Sequence, residues 1–457
     1  MLDALKDLQI LDDMLVYVII GDNGASAEGS LQGTFNEMVT LTGFAHLETP
    51  EFLRDHLDQF GGTESYNHYA VPWAHAMDTP YQWTKQIASH FGGTRNGTIV
   101  HWPKRVAAKG ELRHQFCHVV DIAPTVLEAA GVPEPVEVNG VAQRPYEGVS
   151  MLYTFADEKA AERHVTQYFE MFGNRGIYHN GWTAVTRHST PWIQVVTTKP
   201  FDEDRWELYD TTKDWTQAND VAQQYPDKLA ELQRLWLIEA AQYNVLPIDD
   251  RVVERTNPDL AGRPQLVRGT RQLLFGGMGR LTESSVISLK NKSHAVSAEI
   301  VVADGDDADG VIIAQGGITG GWSLYAREGK AKYCYNFYGH AQYYIESTDK
   351  LPSGQHQLRM EFKYDGGGIG KGGTVTLYLD GKPIGSGRVD QTEPFIFSAD
   401  ETLDIGHETG SPVTKDYERR RFNGKVKWVE IDVGDRADDA EHMIKAADRL
   451  TVAMGMQ

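Results

Sequence analysis

VYVIIGDNGASAEGSLQGTFNE, residues 16–37, decides how the rest of the chain is read. Val16–Ile20 is a run of five apolar, mostly β-branched residues without polar alternation, the pattern of a strand buried on both faces of a parallel sheet. The run breaks at Gly21-Asp22-Asn23-Gly24. In open α/β sheets ligands gather beyond the carboxyl ends of strands, where chain reversals leave a crevice. Asp22 offers a carboxylate there and Asn23 an amide oxygen, hard ligands suited to Ca²⁺ or Mg²⁺. By itself, Asp-Asn-Gly is equally a turn.

Composition narrows the classes. The chain has 457 residues, 41% of them hydrophobic, with a formal charge of −20. That length suits two or three domains. An acidic chain without basic tracts is a poor partner for nucleic acid, whose affinity comes mainly from Lys and Arg on phosphates. The longest apolar runs are of strand length, short of the ~20 residues a membrane helix needs. A soluble protein is expected, with compartment and oligomeric state left open. Cys117 and Cys334 are the only cysteines and form neither a disulfide framework nor a zinc pattern.

Outward from the opening stretch, LDALKDLQILDD reads as the back half of an amphipathic helix running into the strand. A helix on a parallel sheet normally returns from an earlier strand, and none precedes it, so an N-terminal truncation is expected. Residues 38–84 are polar and His-rich, expected to wrap the site as a long loop. His68 and His75 are its candidate substrate-site residues, with packing as the plainer reading. In Tyr81–Arg95, YQWTKQIASHFGGTR, a short helix is predicted to carry Lys85 and to end at Gly92-Gly93, before the strand GTIVHW. Lys85 alone reads as a surface lysine. In HVVDIAPTVLEAAG, Pro124 sits in the first turn of a helix capped by Asp121 and ended by Gly131.

The second half changes style twice. Residues 164–210 read as a small antiparallel sheet, leading into an amphipathic helix, Pro226–Tyr243. Beyond a proline-rich segment, short alternating strands follow from about 270 to 435, with Asp380-Gly381 as a hairpin signal. Many evenly spaced strands predict a β-sandwich or jelly roll. Tyr333, Tyr335, Tyr338 and Tyr343 read either as a sugar-binding face or, more simply, as inward-facing strand aromatics. A terminal helix is expected over Ala437–Ala453. Asp304–Gly310, DGDDADG, lacks the oxygen ligand at Ala308 and the distal Glu of an EF-hand, and reads as a solvated connection.

Taken together, GDNGASAEGS…GTFNE, Lys85 before Gly-Gly-Thr-Arg, HVVDIAPT, Tyr146–Met151 (YEGVSM) and W-x-LYD resemble the sulfatases of the alkaline-phosphatase-like superfamily, in particular arylsulfatases. LYLDGK, LDIGHETG and FNGKVKWVEID are similar to laminin-G/concanavalin-like sandwiches. The resemblance implies an α/β fold, a partial alkaline-phosphatase-like parallel sheet with a small antiparallel subdomain, followed by an all-β sandwich. Residues 1–160 would be the C-terminal part of the catalytic domain, 161–246 its C-terminal subdomain, 247–266 a linker and 267–457 the sandwich.

It further implies sulfate-monoester hydrolysis, with Asp22 and Asn23 on a divalent cation, most often Ca²⁺, and Lys85 on the sulfate. The family's nucleophile comes from the Cys of Cys-x-Pro-x-Arg. His-Val-Val-Asp follows Cys117 and Tyr-Asn-Phe-Tyr follows Cys334, so neither fits. With no nucleophile in this chain, inactivity of the chain alone is expected. A phosphate or phosphonate monoester hydrolase of the same superfamily, or a glycan-binding fragment, stays open. Asn96-Gly97 stand where many sulfatases carry a small apolar residue and Pro.

Overall fold

The computed structural model describes every residue except 22, 108, 194–198, 419, 435–441 and 444–457. The chain forms an α/β region followed by a large antiparallel β region. Contacts divide it into two compact units, Met1–Ala27 with Ala70–Val252, and Glu28–Tyr69 with Val253–Gln457.

In the first unit the opening run forms β1 (Val16–Ile20) as expected, but its partner is β2 (Gly97–His101) and the pairing is antiparallel, with Ile20 opposite Gly97. The parallel pairing predicted for this run is therefore corrected. So is its burial. Leu15, Tyr17 and Val100 pack with Trp102, Met151, Phe155 and Ile122. Val18, Ile19, Ile20 and Ile99 stand exposed, Ile20 at 64%. A two-stranded ribbon with one covered side lacks the second layer that buries a parallel sheet on both faces. The helix before it spans Leu2–Asp7 and buries no residue.

The helix after β2 spans Ile122–Ala130 and ends at Gly131 in the left-handed conformation, as its sequence predicts. A short hairpin follows, β3 (Glu137–Val138) with β4 (Val141–Ala142). The small antiparallel sheet is β5 (Thr166–Met171), β6 (Asn174–His179), β7 (Trp182–Thr186) and β8 (Glu207–Asp210), in that order. Helix Pro226–Gln242 covers it. Leu232, Trp236 and Ala240 recur every four residues, share one face, and pack with Ile177, Ala184 and Leu208. The Trp236 Nε1 donates to the Phe169 carbonyl at 3.2 Å, so burying the ring leaves its polar atom satisfied.

The second unit is a sandwich of two antiparallel sheets. Its strands are β9 (Arg271–Phe275), β10 (His294–Val302), β11 (Gly310–Gly317), β12 (Gly320–Arg327), β13 (Lys330–Phe337) and β14 (Ala341–Lys350), then β15 (Gly354–Tyr364), β16 (Lys371–Leu379), β17 (Lys382–Gln391), β18 (Leu403–Ile405) and β19 (Lys425–Val433). One sheet runs β17-β16-β15-β10-β19-β9, the other β14-β13-β12-β11-β18. Inward residues of both share one core, including Val296, Met360 and Val429 from the first and Leu324, Tyr333 and Ile405 from the second. Asp380 and Gly381 both have positive φ (48° and 77°), the primed turn that the Asp-Gly pair predicts between β16 and β17. Tyr333, Tyr335 and Tyr338 are buried and Tyr343 is half-buried, so these aromatics fill the interior. Of the helix expected over Ala437–Ala453, all but His442 and Met443 lie outside the described residues.

Of residues 38–84, expected to wrap the site as a long loop, 38–69 pack instead with the sandwich, together with 28–37. Met38 and Val39, from the short helix Glu37–Leu41, join its core, and Phe44 meets Phe337 edge-on at 5.8 Å. Asn36 caps that helix by accepting from the Met38 N–H, and its amide donates to the Thr319 (2.9 Å) and Tyr338 (2.8 Å) carbonyls. The buried Glu48 carboxylate accepts from the Phe35 and Asn36 N–H groups and the Thr34 hydroxyl. Through Asn36 this polar seam ties an early segment to turns between strands 283 and 302 residues later. Met38→Ala should therefore destabilise the sandwich by about 2–5 kcal/mol, the range for deleting a buried Met side chain. Denaturant unfolding followed by tryptophan fluorescence checks this.

Candidate active site

Just past β1 the chain turns at Gly21 (φ 80°) into Asn23 and Gly24. Asp22 lies outside the described residues. Asn23 is half-buried, and its backbone is gripped by one side chain. The Asn96 amide, oriented to satisfy both groups, donates to the Asn23 carbonyl (2.7 Å) and accepts from its N–H (3.3 Å). Asn96 immediately precedes β2, so the residue that departs from the family's usual turn clamps the end of the neighbouring strand. On the far side, the Asp78 carboxylate accepts from the Ala25 N–H through both oxygens, at 2.9 and 3.1 Å. Burial raises the Asp78 carboxyl above its usual range, partly offset by that N–H and by His75.

The Lys85 stretch meets this turn backbone to backbone. The Lys85 N–H donates to the Ala25 carbonyl (3.1 Å), and the Gly24 N–H donates to the Gly93 carbonyl (3.3 Å). A Cβ on Gly24 would fall 1.6 Å from the Gly92 carbonyl oxygen, and one on Gly92 2.1 Å from that of Trp83. Only glycine permits such an approach. The helix predicted to carry Lys85 is corrected accordingly. Lys85 is half-buried in an irregular turn, flanked by Trp83 and Gln86 at positive φ (67° and 75°). Gly92 and Gly93 lie inside the short helix Phe91–Thr94 rather than ending one before it. Their task is close packing, not capping.

The structure thus joins the Asn23 and Lys85 stretches and leaves the two histidines apart from them in role. His75 is exposed on helix Val71–Asp78. His68 belongs to the second unit, where its Nδ1 lies 3.1 Å from the Tyr69 carbonyl and its backbone bridges to Thr34. Sequence reasoning missed Asn96, Asp78, Asn174 and Gln217, whose partners are remote in sequence. It also missed a buried relay. Ser89 Oγ is 2.8 Å from His90 Nδ1, and His90 Nε2 is 3.2 Å from Glu207 Oε2, which also accepts from the Tyr209 hydroxyl. The His90 hydrogen bond is the first cause that lowers the Glu207 carboxyl below its usual range. With Ser89 and His90 buried (3% and 1% exposed), the relay serves as a strut under the glycine turn, not as a nucleophile.

A second buried pair stands under helix Ile122–Ala130. Asp121 sits at the N-cap position, but its carboxylate accepts from His118 N–H (2.7 Å), Val149 N–H (2.7 Å) and His164 Nδ1 (2.8 Å). Burial opposes ionisation of Asp121, yet these hydrogen bonds outweigh it and hold the carboxyl below its usual range. Burial likewise opposes charge on His164, and Asp121 outweighs it and raises the imidazole. The nearby Cys117 thiol is pushed up to about 12, by desolvation first and then by Asp121 and Glu162, although the residue is exposed overall. Burial pushes Cys334 up to about 12 as well. Both thiols are held protonated, so neither is an activated nucleophile.

The first unit, with the turn past β1 and the lysine turn locked at backbone contact, is similar to sulfatases. Residues 1–132 match the family model for sulfatases, and residues 88–236 match that for the C-terminal part of N-sulphoglucosamine sulphohydrolase. An uncharacterized sulfatase of Schizosaccharomyces pombe is 27% identical over 254 residues, which are 55% of this chain and 42% of the relative. The chain thus spans less than half the length of that relative. Among solved structures, one described under the metabolism of multiple glycosaminoglycans by Bacteroides thetaiotaomicron is 18% identical, covering 53% of this chain and 41% of its own, with a TM-score of 0.34. The CBM40 of Ruminococcus gnavus IT-sialidase, bound to α2,3 sialyllactose, is 13% identical, covering 42% of this chain and 99% of its own, with a TM-score of 0.27. Likenesses at these scores carry no weight for function.

Two predictions follow from the geometry. Gly24→Ala drives a methyl into the Gly92 carbonyl and should cost at least about 1–3 kcal/mol of stability, the usual range for overpacking; thermal unfolding reads it. The Asp121–His164 pair sets a pH window. Because the Asp121 carboxyl is lowered in the folded state, its contribution is present above its unfolded value of about 3.9 and is lost as pH falls through the lowered one. Because His164 is raised, its contribution is complete below its unfolded value of about 6.5 and is lost as pH rises through the raised one. Stability should peak between the two limbs, and His164→Ala should flatten both, as shown by melting temperature against pH.

Proposed function

We propose that the first unit carries the sulfate-ester site of an arylsulfatase-type hydrolase, a site that cradles the sulfate of a small-molecule ester beside a divalent cation. The observation that carries the proposal is the backbone contact of Gly24 and Ala25 with Lys85 and Gly93, which joins the two motifs whose chemistry the reaction needs. Asp22 and Asn23 would hold the cation, Ca²⁺ or Mg²⁺. The hard oxygen donors suit either ion, and the Asn96 clamp and glycine contacts hold the Asn23 and Gly24 backbone in place. Among the described residues no group of three or more His, Cys, Asp or Glu gathers, at these turns or elsewhere. When bound, the cation supplies positive charge against the sulfate oxygens.

Lys85 meets the outer sulfate oxygens as a point charge and offsets the charge that builds there as the ester bond breaks. Asn96 and Asp78 keep the two turns in register. Cys117 and Cys334 stay protonated and outside the family's cysteine motif, so this chain's share of the reaction is to bind and orient the ester. Among the described residues no helix is long and apolar enough to cross a membrane. The second unit is read as a laminin-G/concanavalin-like sandwich.

Calorimetric titration of the full chain with p-nitrophenyl sulfate, with phosphate in parallel and with calcium or a chelator, tests this. Sulfate-ester binding is expected, and Lys85→Met should weaken it at least about tenfold, equal to about 1.4 kcal/mol. Tighter binding of phosphate than of sulfate would replace the sulfatase reading with a phosphoester one. An unchanged affinity in Lys85→Met would remove Lys85 from the site.

A further inference from the structure

Trp83 and Gln86, two residues with side chains, sit in left-handed backbone on either side of Lys85. Strain of that kind persists only where the surroundings over-determine it, and it gathers at functional turns. Here the surroundings are two carboxamides, both 0% exposed, supplied from the C-terminal part of the same unit. Asn174, the first residue of β6, donates from Nδ2 to the Gln86 carbonyl at 3.2 Å. Its Oδ1 accepts from the His188 N–H (2.8 Å) and the Ser189 N–H (3.2 Å). Gln217 accepts from the Phe91 N–H (2.8 Å), donates to the Thr183 hydroxyl (3.0 Å), and offers its own carbonyl to the Gln82 amide. The Arg187 guanidinium lies 4.6 Å from the centre of the Trp83 ring.

An apolar core needs none of this. A buried amide that loses its partner is costly, so a side chain that spends its donor and its acceptor on two remote backbone segments fixes their separation. Leucine at position 174 would fill the space and hold nothing. The amide fixes the carbonyl of the residue next to Lys85, while the Lys85 N–H is fixed from the other side by Ala25.

We infer that Asn174 is the positioning residue for Lys85: by clamping the strained Gln86 peptide it sets the direction from which the lysine reaches its anion. The inference rests on the reading of Lys85 as the sulfate contact, and it makes the small antiparallel sheet part of the anion site rather than a separate support.

The test uses the full chain, inorganic sulfate as probe, and peptide-level hydrogen exchange as a readout that does not depend on sulfate. Asn174→Ala should weaken sulfate binding about tenfold, a loss comparable to removing a directed contact, and should speed exchange in residues 82–93 and at His188 and Ser189, whose N–H groups lose the Asn174 Oδ1, and not elsewhere. His164→Ala serves as a control that destabilises the unit elsewhere, and should leave both readouts unchanged. Should Asn174→Ala fail to fold, the double variant with Gln86→Gly, which relieves the left-handed strain, is expected to fold; a double variant that still fails overturns the clamp. Unaltered sulfate affinity in Asn174→Ala overturns the inference, as do equal effects from His164→Ala. If the unaltered chain does not bind sulfate, the Lys85 reading falls. The exchange arm then decides the clamp alone: acceleration in 82–93 besides that at His188 and Ser189 supports it, and no acceleration in 82–93 overturns it.

Discussion

The first unit depends on a contact in which side chains are excluded. Gly24 lies against the carbonyl of Gly92, and Gly92 against that of Trp83, so three passes of backbone stack at distances no Cβ tolerates. Hydrogen bonds between Ala25 and Lys85 and between Gly24 and Gly93 are possible only because of that approach. The strand-end turn and the lysine turn then move as one object.

The bracing is polar, and this separates the two units. In the sandwich an extensive apolar core is shared by two sheets, and polar seams such as Asn36 and Glu48 add register at its margin. In the first unit the apolar clusters are smaller, and hydrogen-bonded polar side chains set the positions around the site: the half-buried Asn96 and Asp78, the buried Asn174 and Gln217, and His90 with Glu207; Asp121 with His164 does the same under helix Ile122–Ala130. Apolar packing tolerates small slides, whereas a satisfied buried polar group penalises them. A site that must hold two turns at fixed separation gains from the second kind of interaction.

Local features were legible in the sequence, and long-range ones were not. The strand Val16–Ile20, the helix closed by Gly131, the small sheet of 164–210, the Asp380-Gly381 hairpin and the inward tyrosines at 333, 335 and 338 were all readable, because each is written in a few adjacent residues. The partner of Val16–Ile20 was misjudged, since an apolar run reports a preference for burial and not which strand it meets or whether both faces are covered. The turn at Lys85 read as a helix because its residues favour one, and it is overruled by amides 88 and 126 residues downstream. Residues 38–84 read as a loop around the site because sequence order hides that Met38 and Val39 complete a core built almost entirely after residue 270.

The proposed site holds one anion and one cation on the joined turns. A crystal structure of the full chain soaked with calcium and selenate, with anomalous scattering locating the selenium, is the decisive test. Selenate is predicted in contact with the Lys85 ammonium, and a calcium ion on Asp22 and Asn23 beside it. Selenate bound elsewhere, with Lys85 and the Asp22–Asn23 turn untouched, would contradict it.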